Sequence, residues 1–180
     1  MKSDRPRISA FVGTSLDGYI AKEDDDLLWL ESIPAEGEDY GFATFFEGVD
    51  VLIMGRRTYE VVSGFDAWPY EGKRVIVLSG SLGEVRPEAE LYTGPIPDLL
   101  RQLFAEGVRH VYVDGGYTVS SFLAEGYLDA LTMTVLPIVL GKGIRLFQTG
   151  ETESRATLVY CNAFPSGIVQ LSYRFPRIEG

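Results

Sequence analysis

The chain has 180 residues, of which 46% are hydrophobic, and it carries a formal net charge of −10 at pH 7. This length and composition predict one globular domain over residues 1–180 and exclude a largely disordered chain. The acidic balance argues against nucleic acid as the main partner, because a phosphate backbone requires a basic face, and no apolar run reaches the roughly 18 residues of a membrane span.

The first part of the chain predicts one strand and two helices. The apolar residues of Arg7 to Val12 predict a strand, which ends in a turn-rich segment around Gly18. Three acids at residues 24–26 precede a short helix expected over Leu27–Leu30, and acids are favourable at that end of a helix. The four apolar residues at helical spacing within Phe42–Val49 predict a second helix with one aromatic face.

The middle of the chain alternates strands and helices. Asp50 to Met54 is a predicted buried strand, and Gly55 turns the chain into a helix. Arg74 to Leu78 predicts the next strand, and Pro97 to Glu106 predicts a helix that ends at Gly107.

The stretch from Val108 to Phe147 predicts a strand, a turn at Gly115-Gly116, a helix, and a long strand over Leu128–Leu140. A C-terminal β-hairpin is expected from residues 157–160 and 168–175. This alternation predicts an α/β fold with a mixed, mostly parallel central sheet and an antiparallel C-terminal hairpin.

Three strand ends carry groups suited to phosphate. Met54–Thr58 offers a glycine, two arginines and a hydroxyl, Leu78–Ser81 offers hydroxyls and backbone, and Asp114–Thr118 offers a glycine turn that opens a helix. Together they indicate a dinucleotide lying across the carboxyl ends of the strands. Arg56 and Arg57 suit the 2′-phosphate that distinguishes NADP from NAD. The alternatives remain open that the glycines form only a tight connection and that the arginines form surface ion pairs.

At this point the sequence resembles the dihydrofolate reductase superfamily, and most closely its riboflavin-biosynthesis-type branch, the RibD C-terminal-like reductases. The resemblance rests on five segments in the same order: Ser15–Ala21, Met54–Glu60, Val75–Ser79, Val113–Gly116 and Leu136–Gly143. It implies a three-layer fold and NADPH as hydride donor. It also implies that Gly13, Ile20 and Ala21 flank the nicotinamide, with the remaining contacts to the cofactor from Gly55, Arg56, Arg57, Thr58, Leu78, Ser79, Gly80, Asp114, Gly115, Gly116, Tyr117 and Thr118.

The same resemblance places a catalytic carboxylate at Asp26, in a pocket whose other substrate contacts would be Phe11, Leu30 and Thr134. A carboxylate buried beside an apolar wall has a raised pKa and can share a proton with a ring nitrogen. The alternative is that Asp26 is an exposed helix N-cap with Asp24 and Asp25 as solvated neighbours. Trp68-Pro69-Tyr70 is expected either to wall the ligand cleft or to pack within its own loop.

Two departures from the folate enzymes weaken folate as the substrate. The loop between Ile20 and Asp26 is short, and Lys73 stands where those enzymes place an arginine for the folate tail. With one histidine and one cysteine, the chain cannot build the zinc site of a deaminase. We therefore expect an NADPH-dependent reductase of a pteridine- or pyrimidine-type heterocycle. A non-catalytic NADP-binding module is the alternative, and the missing Gly-x-Gly-x-x-Gly argues against an ordinary dinucleotide dehydrogenase.

Location and assembly are expectations of the same kind. The N-terminus lacks the apolar core of a signal peptide, and a single cysteine, Cys161, allows no internal disulfide, so we expect a cytoplasmic protein. The C-terminal hairpin and the strand over Leu128–Leu140 are rich in Val, Leu and Tyr, and relatives in the riboflavin-type branch are commonly dimers. We expect a homodimer that binds a small heterocyclic substrate, with neither nucleic acid nor a membrane as partner.

Overall fold

A computed structural model describes residues 4–33, 37–148 and 153–177. The strands within these residues are β1 (Arg7–Thr14), β2 (Tyr19–Ala21), β3 (Val51–Gly55), β4 (Arg74–Leu78), β5 (Ala89–Tyr92), β6 (His110–Asp114), β7 (Ala130–Val135), β8 (Ile144–Arg145), β9 (Thr157–Ala163) and β10 (Val169–Arg174). The helices are α1 (Phe42–Glu47), α2 (Arg56–Ser63), α3 (Ile96–Ala105) and α4 (Gly116–Ala124), with a 3-10 helix at Leu28–Ser32. Among these helices, none is long and apolar enough to cross a membrane.

The described strands form an eight-stranded sheet in the order β5-β4-β3-β6-β1-β7-β10-β9, beside a two-stranded sheet of β2 and β8. Neighbouring strands from β5 to β7 are parallel, whereas β10 is antiparallel to both β7 and β9. The central strands are buried on both faces, as their continuous apolar sequences require. The predicted mixed, mostly parallel sheet with antiparallel C-terminal strands is confirmed.

Helices cover both faces of the sheet and make three layers. On one face, α3 and α4 contribute the fully buried side chains of Leu103, Val119 and Phe122 to the larger core. On the other face, α2 packs Tyr59 and Val62 against β3 and β4, and the aromatic face of α1 closes the same cluster. The helical spacing of these apolar residues is therefore what fixes each helix to the sheet.

The long strand predicted after α4 differs from the observed one in its C-terminal limit and in its place in the sheet. The strand expected over Leu128–Leu140 ends at Val135, because Pro137 has no N–H for a ladder and the carboxylate of Asp17 binds the amides of Leu140 and Gly141 at 3.1 and 2.7 Å. Since β7 also lies between β1 and β10, it is an interior strand, and the edge strand on this side of the sheet is β9. Strand β5 and the short pair β2–β8 were not predicted.

The order of the strands creates a topological switch point between β3 and β6. From β3 the chain passes through α2 to β4, whereas from the neighbouring strand β6 it passes through α4 to β7 on the opposite side. The two connections leave in opposite directions, so a crevice opens outside the carboxyl ends of β3 and β6.

Candidate functional site

A continuous cleft occupies this switch point. It consists of an inner half of about 270 Å³, at the ends of β1 and β6, and an outer half of about 590 Å³, at the ends of β3 and β4. The two halves share the residues Arg57, Thr58, Gly115 and Tyr117. A side lobe of about 300 Å³ joins the inner half along Phe11, Gly13 and Leu30.

The two halves meet between matched helix starts. Gly55-Arg56-Arg57-Thr58 begins α2, and Gly115-Gly116-Tyr117-Thr118 begins α4, so each start has a glycine cap and a threonine three residues later. A side chain on either glycine would meet the threonine of the other start: a Cβ on Gly55 would lie 3.0 Å from the Thr118 hydroxyl oxygen, and one on Gly115 would collide with that of Thr58. Neither glycine could therefore carry a side chain unless the threonine of the other helix start moved.

These helix starts are suited to bind an anion. In the described part of the chain, no side chain caps the first turn of α2 or of α4. The amides of residues 56–58 and 116–118 are therefore not used by a side-chain acceptor, although the Gly115 amide just before α4 donates to Oδ1 of Asp114 at 2.8 Å. The helix dipoles add positive potential at the same place. A diphosphate fits this donor set better than any uncharged group does.

The two arginines of α2 have different environments. Arg56 lines the outer half, its side chain is 55% exposed, and its nearest carboxylate, that of Glu60, is 3.9 Å away. Arg57 is bound on the inner side, where its Nε donates to Asp25 and its Nη2 donates to the carbonyl oxygen of Glu23 at 2.9 Å. The ion-pair alternative therefore holds for Arg57, and Arg56 is the arginine that a phosphate in the outer half could reach.

The strands β4 and β5 form the far wall of the outer half, and β5 is a strand that the sequence did not predict. Ser79 follows β4, and its amide donates to the carbonyl oxygen of Tyr92 at 3.1 Å. Gly80 is exposed, and a Cβ built on it would have no described atom within 4 Å. Tyr92, Thr93, Gly94 and Ile96 complete this wall. The outer half is thus wide and open beside Gly80.

The inner half contains a polar cluster of Asp114, Tyr112 and Tyr70 within an apolar lining. Burial raises the pKa of the Asp114 carboxyl group above its usual range, and the hydrogen bond from the Gly115 amide at 2.8 Å offsets only part of that rise. The Tyr112 hydroxyl donates to the carbonyl oxygen of Phe11 at 3.1 Å. Burial also raises the pKa values of Tyr70 and Tyr112, so both phenols are protonated at neutral pH. A carboxyl group with a raised pKa inside an apolar cavity is suited to general acid catalysis.

Asp26 does not have the environment expected of a catalytic acid. Its carboxylate pairs with Lys22 at 2.6 Å and accepts a hydrogen bond from the Leu28 amide at 3.0 Å. The Lys22 ammonium lowers the pKa of Asp26, where an acid in an apolar pocket would have a raised one. Asp26 is also not among the described residues that line the cleft. The structure thus does not place Asp26 in the described lining of the cleft, and it does not make Asp26 an exposed N-cap either, because Asp26 is half-buried and the N-cap of the 3-10 helix is Leu27.

Thr134 lies apart from Asp26, against the expectation that the two share one pocket. It is buried in the side lobe, where its hydroxyl oxygen accepts a hydrogen bond from Nε2 of Gln170 at 3.0 Å. Phe11 and Leu30, the other predicted substrate contacts, line both the side lobe and the inner half.

The predicted cofactor residues all line one half of the cleft or the other. Gly116 lines the cleft as well, but a Cβ there would collide with the carbonyl oxygen of Arg145 in β8. Packing against β8 is therefore enough to explain why residue 116 is a glycine. The sequence did not single out Tyr112, Val61, Val62 or Phe65, which also line the inner half. Tyr70 walls the cleft, while Trp68 packs on Tyr70 with a centroid distance of 5.4 Å.

Comparison with known proteins identifies relatives over nearly the whole chain. The family model described as the RibD C-terminal domain matches residues 6–170. YwjB of Bacillus subtilis, itself uncharacterized, is 34% identical over 166 residues, which are 91% of this chain and 94% of YwjB.

Solved structures show the same likeness. One from Shewanella sp. PV-4, provisionally named a riboflavin biosynthesis protein, has a TM-score of 0.89 at 37% identity and covers 95% of this chain and 99% of its own. The diaminohydroxyphosphoribosylaminopyrimidine deaminase/5-amino-6-(5-phosphoribosylamino)uracil reductase of Thermotoga maritima has a TM-score of 0.72 at 19% identity, over 97% of this chain and 58% of that one. At that identity the second likeness shows the fold alone.

Proposed function

Because the chain belongs to the RibD C-terminal domain family, within the dihydrofolate-reductase-like superfamily, we propose that it uses NADPH to reduce a C=N or C=O bond in a pyrimidine- or pteridine-type heterocycle. One observation carries the proposal. A single cleft joins two uncapped helix starts, which suit a diphosphate, to an apolar cavity that holds the carboxyl group of Asp114.

The outer half fits the adenosine side of NADPH. The amides at the starts of α2 and α4 would bind the diphosphate, and Arg56 would bind the 2′-phosphate through charge-assisted hydrogen bonds. Leu78, Ser79 and Gly80 would line the adenine ribose. A dinucleotide of this kind is long enough to require both halves, and the shared residues between the halves make them continuous.

The inner half would hold the nicotinamide and the substrate. Gly13, Ile20 and Ala21 would flank the nicotinamide, and Phe11 and Leu30 would pack on the flat ring of the substrate. When bound, the cofactor supplies the hydride, that is, two electrons and one hydrogen. Asp114 donates the proton that the other atom of the double bond requires and then regains a proton from water. The apolar lining excludes other water from the reacting atoms.

The test is consumption of NADPH with a panel of pterins and ribosylaminopyrimidines, combined with titration of NADPH binding by fluorescence quenching. We expect NADPH to bind and at least one heterocycle to be reduced. Binding of NADPH without turnover of any heterocycle would contradict the reductase proposal and leave the non-catalytic NADP-binding module in its place.

Assembly as a homodimer belongs to the same proposal. Strand β9 is one of the two edges of the described eight-stranded sheet, carries no charged residue and exposes Leu158, Val159 and Tyr160 to about half of their full area. Exposed edges usually carry charges or are covered, and antiparallel pairing of β9 with its copy would cover this one. Light scattering at micromolar concentration tests it, and a monomer mass would contradict it. The cytoplasmic location remains a prediction from the sequence.

A further inference from the structure

The inner half and the side lobe are poorly suited to an anionic substrate. Their walls are largely apolar and aromatic, with contributions from Phe11, Leu30 and Phe65. Apart from tyrosine hydroxyls, the ionisable groups in the described lining are three carboxyl groups and one guanidinium group, those of Asp25, Asp39, Asp114 and Arg57. An anion entering this space would meet more carboxyl groups than cations.

The one arginine in this lining already has its partners. Arg57 donates to the carboxylate of Asp25 and to the carbonyl oxygen of Glu23. A phosphate or carboxylate on the substrate could still reach the other N–H groups of Arg57, but it would meet a guanidinium charge that Asp25 already neutralises. The electrostatic gain from binding there is reduced accordingly.

The neighbouring lysines are also bound elsewhere. Lys22 pairs with Asp26 at 2.6 Å, and Lys142 pairs with Glu23 at 2.8 Å. Lys73, which stands where folate enzymes place an arginine for the folate tail, donates to the carbonyl oxygens of Glu47 and Val49 at 3.2 and 2.7 Å. The internal segments outside the described residues, 34–36 and 149–152, contain no lysine or arginine in their sequences.

Backbone amides near the substrate are occupied in the same way. The carboxylate of Asp39, in the side lobe, accepts hydrogen bonds from the amides of Gly41 and Ala43 at the start of α1, both at 2.9 Å. In the described chain, no side chain accepts from the amides of residues 56–58 or 116–118 at the starts of α2 and α4, where only the Gly115 amide before α4 is bound, to Asp114. The protein therefore provides for anions where the cofactor would bind and not where the substrate would bind.

We propose that the substrate of this site is an uncharged planar heterocycle that carries neither a phosphate nor a carboxylate. The inference rests on the proposed function and narrows it. The ring would pack between Phe11 and Leu30, and its polar edge would face Asp114 and Tyr70. A ribosylaminopyrimidine is then accepted as the free nucleoside and rejected as the 5′-phosphate.

The experiment compares ligands that differ only in the anion: a ribosylaminopyrimidine with its 5′-phosphate, and a pterin with its 6-carboxylate. Binding to the protein saturated with NADP⁺ is measured by calorimetry, which requires no turnover, and kcat/KM is measured for each compound with NADPH. We expect the neutral member of each pair to bind at least tenfold more tightly, about 1.4 kcal/mol, and to have the higher kcat/KM. Equal or tighter binding of the phosphate would overturn the inference and leave the proposed reductase function intact.

A variant tests the physical cause. Asp25→Asn removes the negative charge that neutralises Arg57 without changing the backbone, because asparagine tolerates the left-handed conformation that Asp25 adopts at φ 65°. We expect the affinity for the phosphate ligand, relative to that for the neutral ligand, to rise at least fivefold in this variant. Asp98→Asn, on the exposed surface of α3, removes the same charge away from the cleft and should change neither. If both variants strengthen phosphate binding equally, net charge rather than Arg57 is the cause, and this explanation is overturned. A separate outcome concerns the proposed function: neutral ligands that bind but are never reduced would refute that function and leave the inference about charge standing.

Discussion

Thr58 occupies the space in which residue 115 would carry a side chain: its hydroxyl oxygen contacts the Cβ position of Gly115, which has a φ of 92°. Gly115→Ala should therefore destabilise the protein by about 3 kcal/mol, from backbone strain together with overpacking. In a Thr58→Ala background the overpacking is relieved, and the same change should cost at least about 1 kcal/mol less.

Urea denaturation of the four proteins in this double-mutant cycle provides the measurement. Gly83→Ala is the matched control, since Gly83 has open space around it and no positive φ, and its effect should stay within about 0.5 kcal/mol. Additive effects of the two changes would show that Gly115 and Thr58 do not compete for one space.

Arg56 is expected to select NADPH over NADH. Arg56→Gln should weaken NADPH binding about tenfold, since one or two charge-assisted hydrogen bonds to the 2′-phosphate are lost, and should leave NADH binding within about twofold. Arg57→Gln should change the ratio of the two affinities much less, because Arg57 is bound to Asp25. Fluorescence titration of both cofactors measures this, with Arg101→Gln on the exposed face of α3 as the control. If Arg56→Gln still binds NADPH more tightly than NADH by the wild-type ratio, Arg56 does not bind the 2′-phosphate.

Gly80 offers a way to block the outer half without disturbing the fold. Gly80→Leu would place a side chain in space that no described atom occupies within 4 Å of the Cβ position. NADPH affinity should fall at least tenfold while the melting temperature changes little. Gly83→Leu, in the same loop but outside the described lining of the cleft, is the matched control and should bind NADPH normally. Unchanged NADPH affinity in Gly80→Leu would show that the adenine ribose does not bind beside Gly80.

Asp114 is expected to be the proton donor. Asp114→Asn keeps the acceptor for the Gly115 amide but removes the acid, so kcat should fall by about 10²-fold or more while NADPH binding is retained. In the wild type, kcat/KM should decline as the pH rises through the raised pKa of Asp114, because the acid must be protonated to act. A pH–rate profile of wild type, Asp114→Asn and the control Asp98→Asn decides the matter. A wild-type slope that persists in Asp114→Asn would assign the titration to another group.

The same carboxyl group should make stability depend on pH. Its pKa is higher in the folded protein than the value of about 4 expected in the unfolded chain, so its contribution is fully present below about pH 4 and is lost as the pH rises through the folded-state pKa. Asp114→Asn should therefore be more stable than the wild type at pH 7, and this difference should close as the pH falls towards 4. Denaturation midpoints of both proteins across this range test the sign.

The sequence predicted those elements whose side chains carry a clear pattern. β3, β4 and β6 are continuous apolar runs bounded by glycine or by charged residues, and their pairing into a mostly parallel sheet followed from the helices between them. β5 was missed because its four residues are only partly buried or exposed. The pair β2–β8 was missed because backbone contacts between distant segments, rather than a side-chain pattern, define it.

The cleft was predictable where glycines and arginines follow strands, and less so where function depends on burial. Asp114 was expected as one member of a cofactor-binding turn, and its raised pKa depends on its surroundings in the folded protein, which no local pattern displays. Asp26 was placed in the substrate pocket through resemblance, but the short loop before it brings Lys22 within reach of its carboxylate. The outcome for these two acids was decided by their neighbours in space.

The carboxylate of Asp17 binds the amides of Leu140 and Gly141, and the Leu146 amide donates to the carbonyl oxygen of Gly18 at 3.0 Å. With β2 paired to β8, these contacts join residues 15–21 to residues 140–146 as one wall beside the inner half. The conformational entropy of both loops is therefore lost when the chain folds and not when a ligand arrives. A ligand would meet a preorganised surface, and its association rate should be set by diffusion and orientation rather than by the closing of a loop.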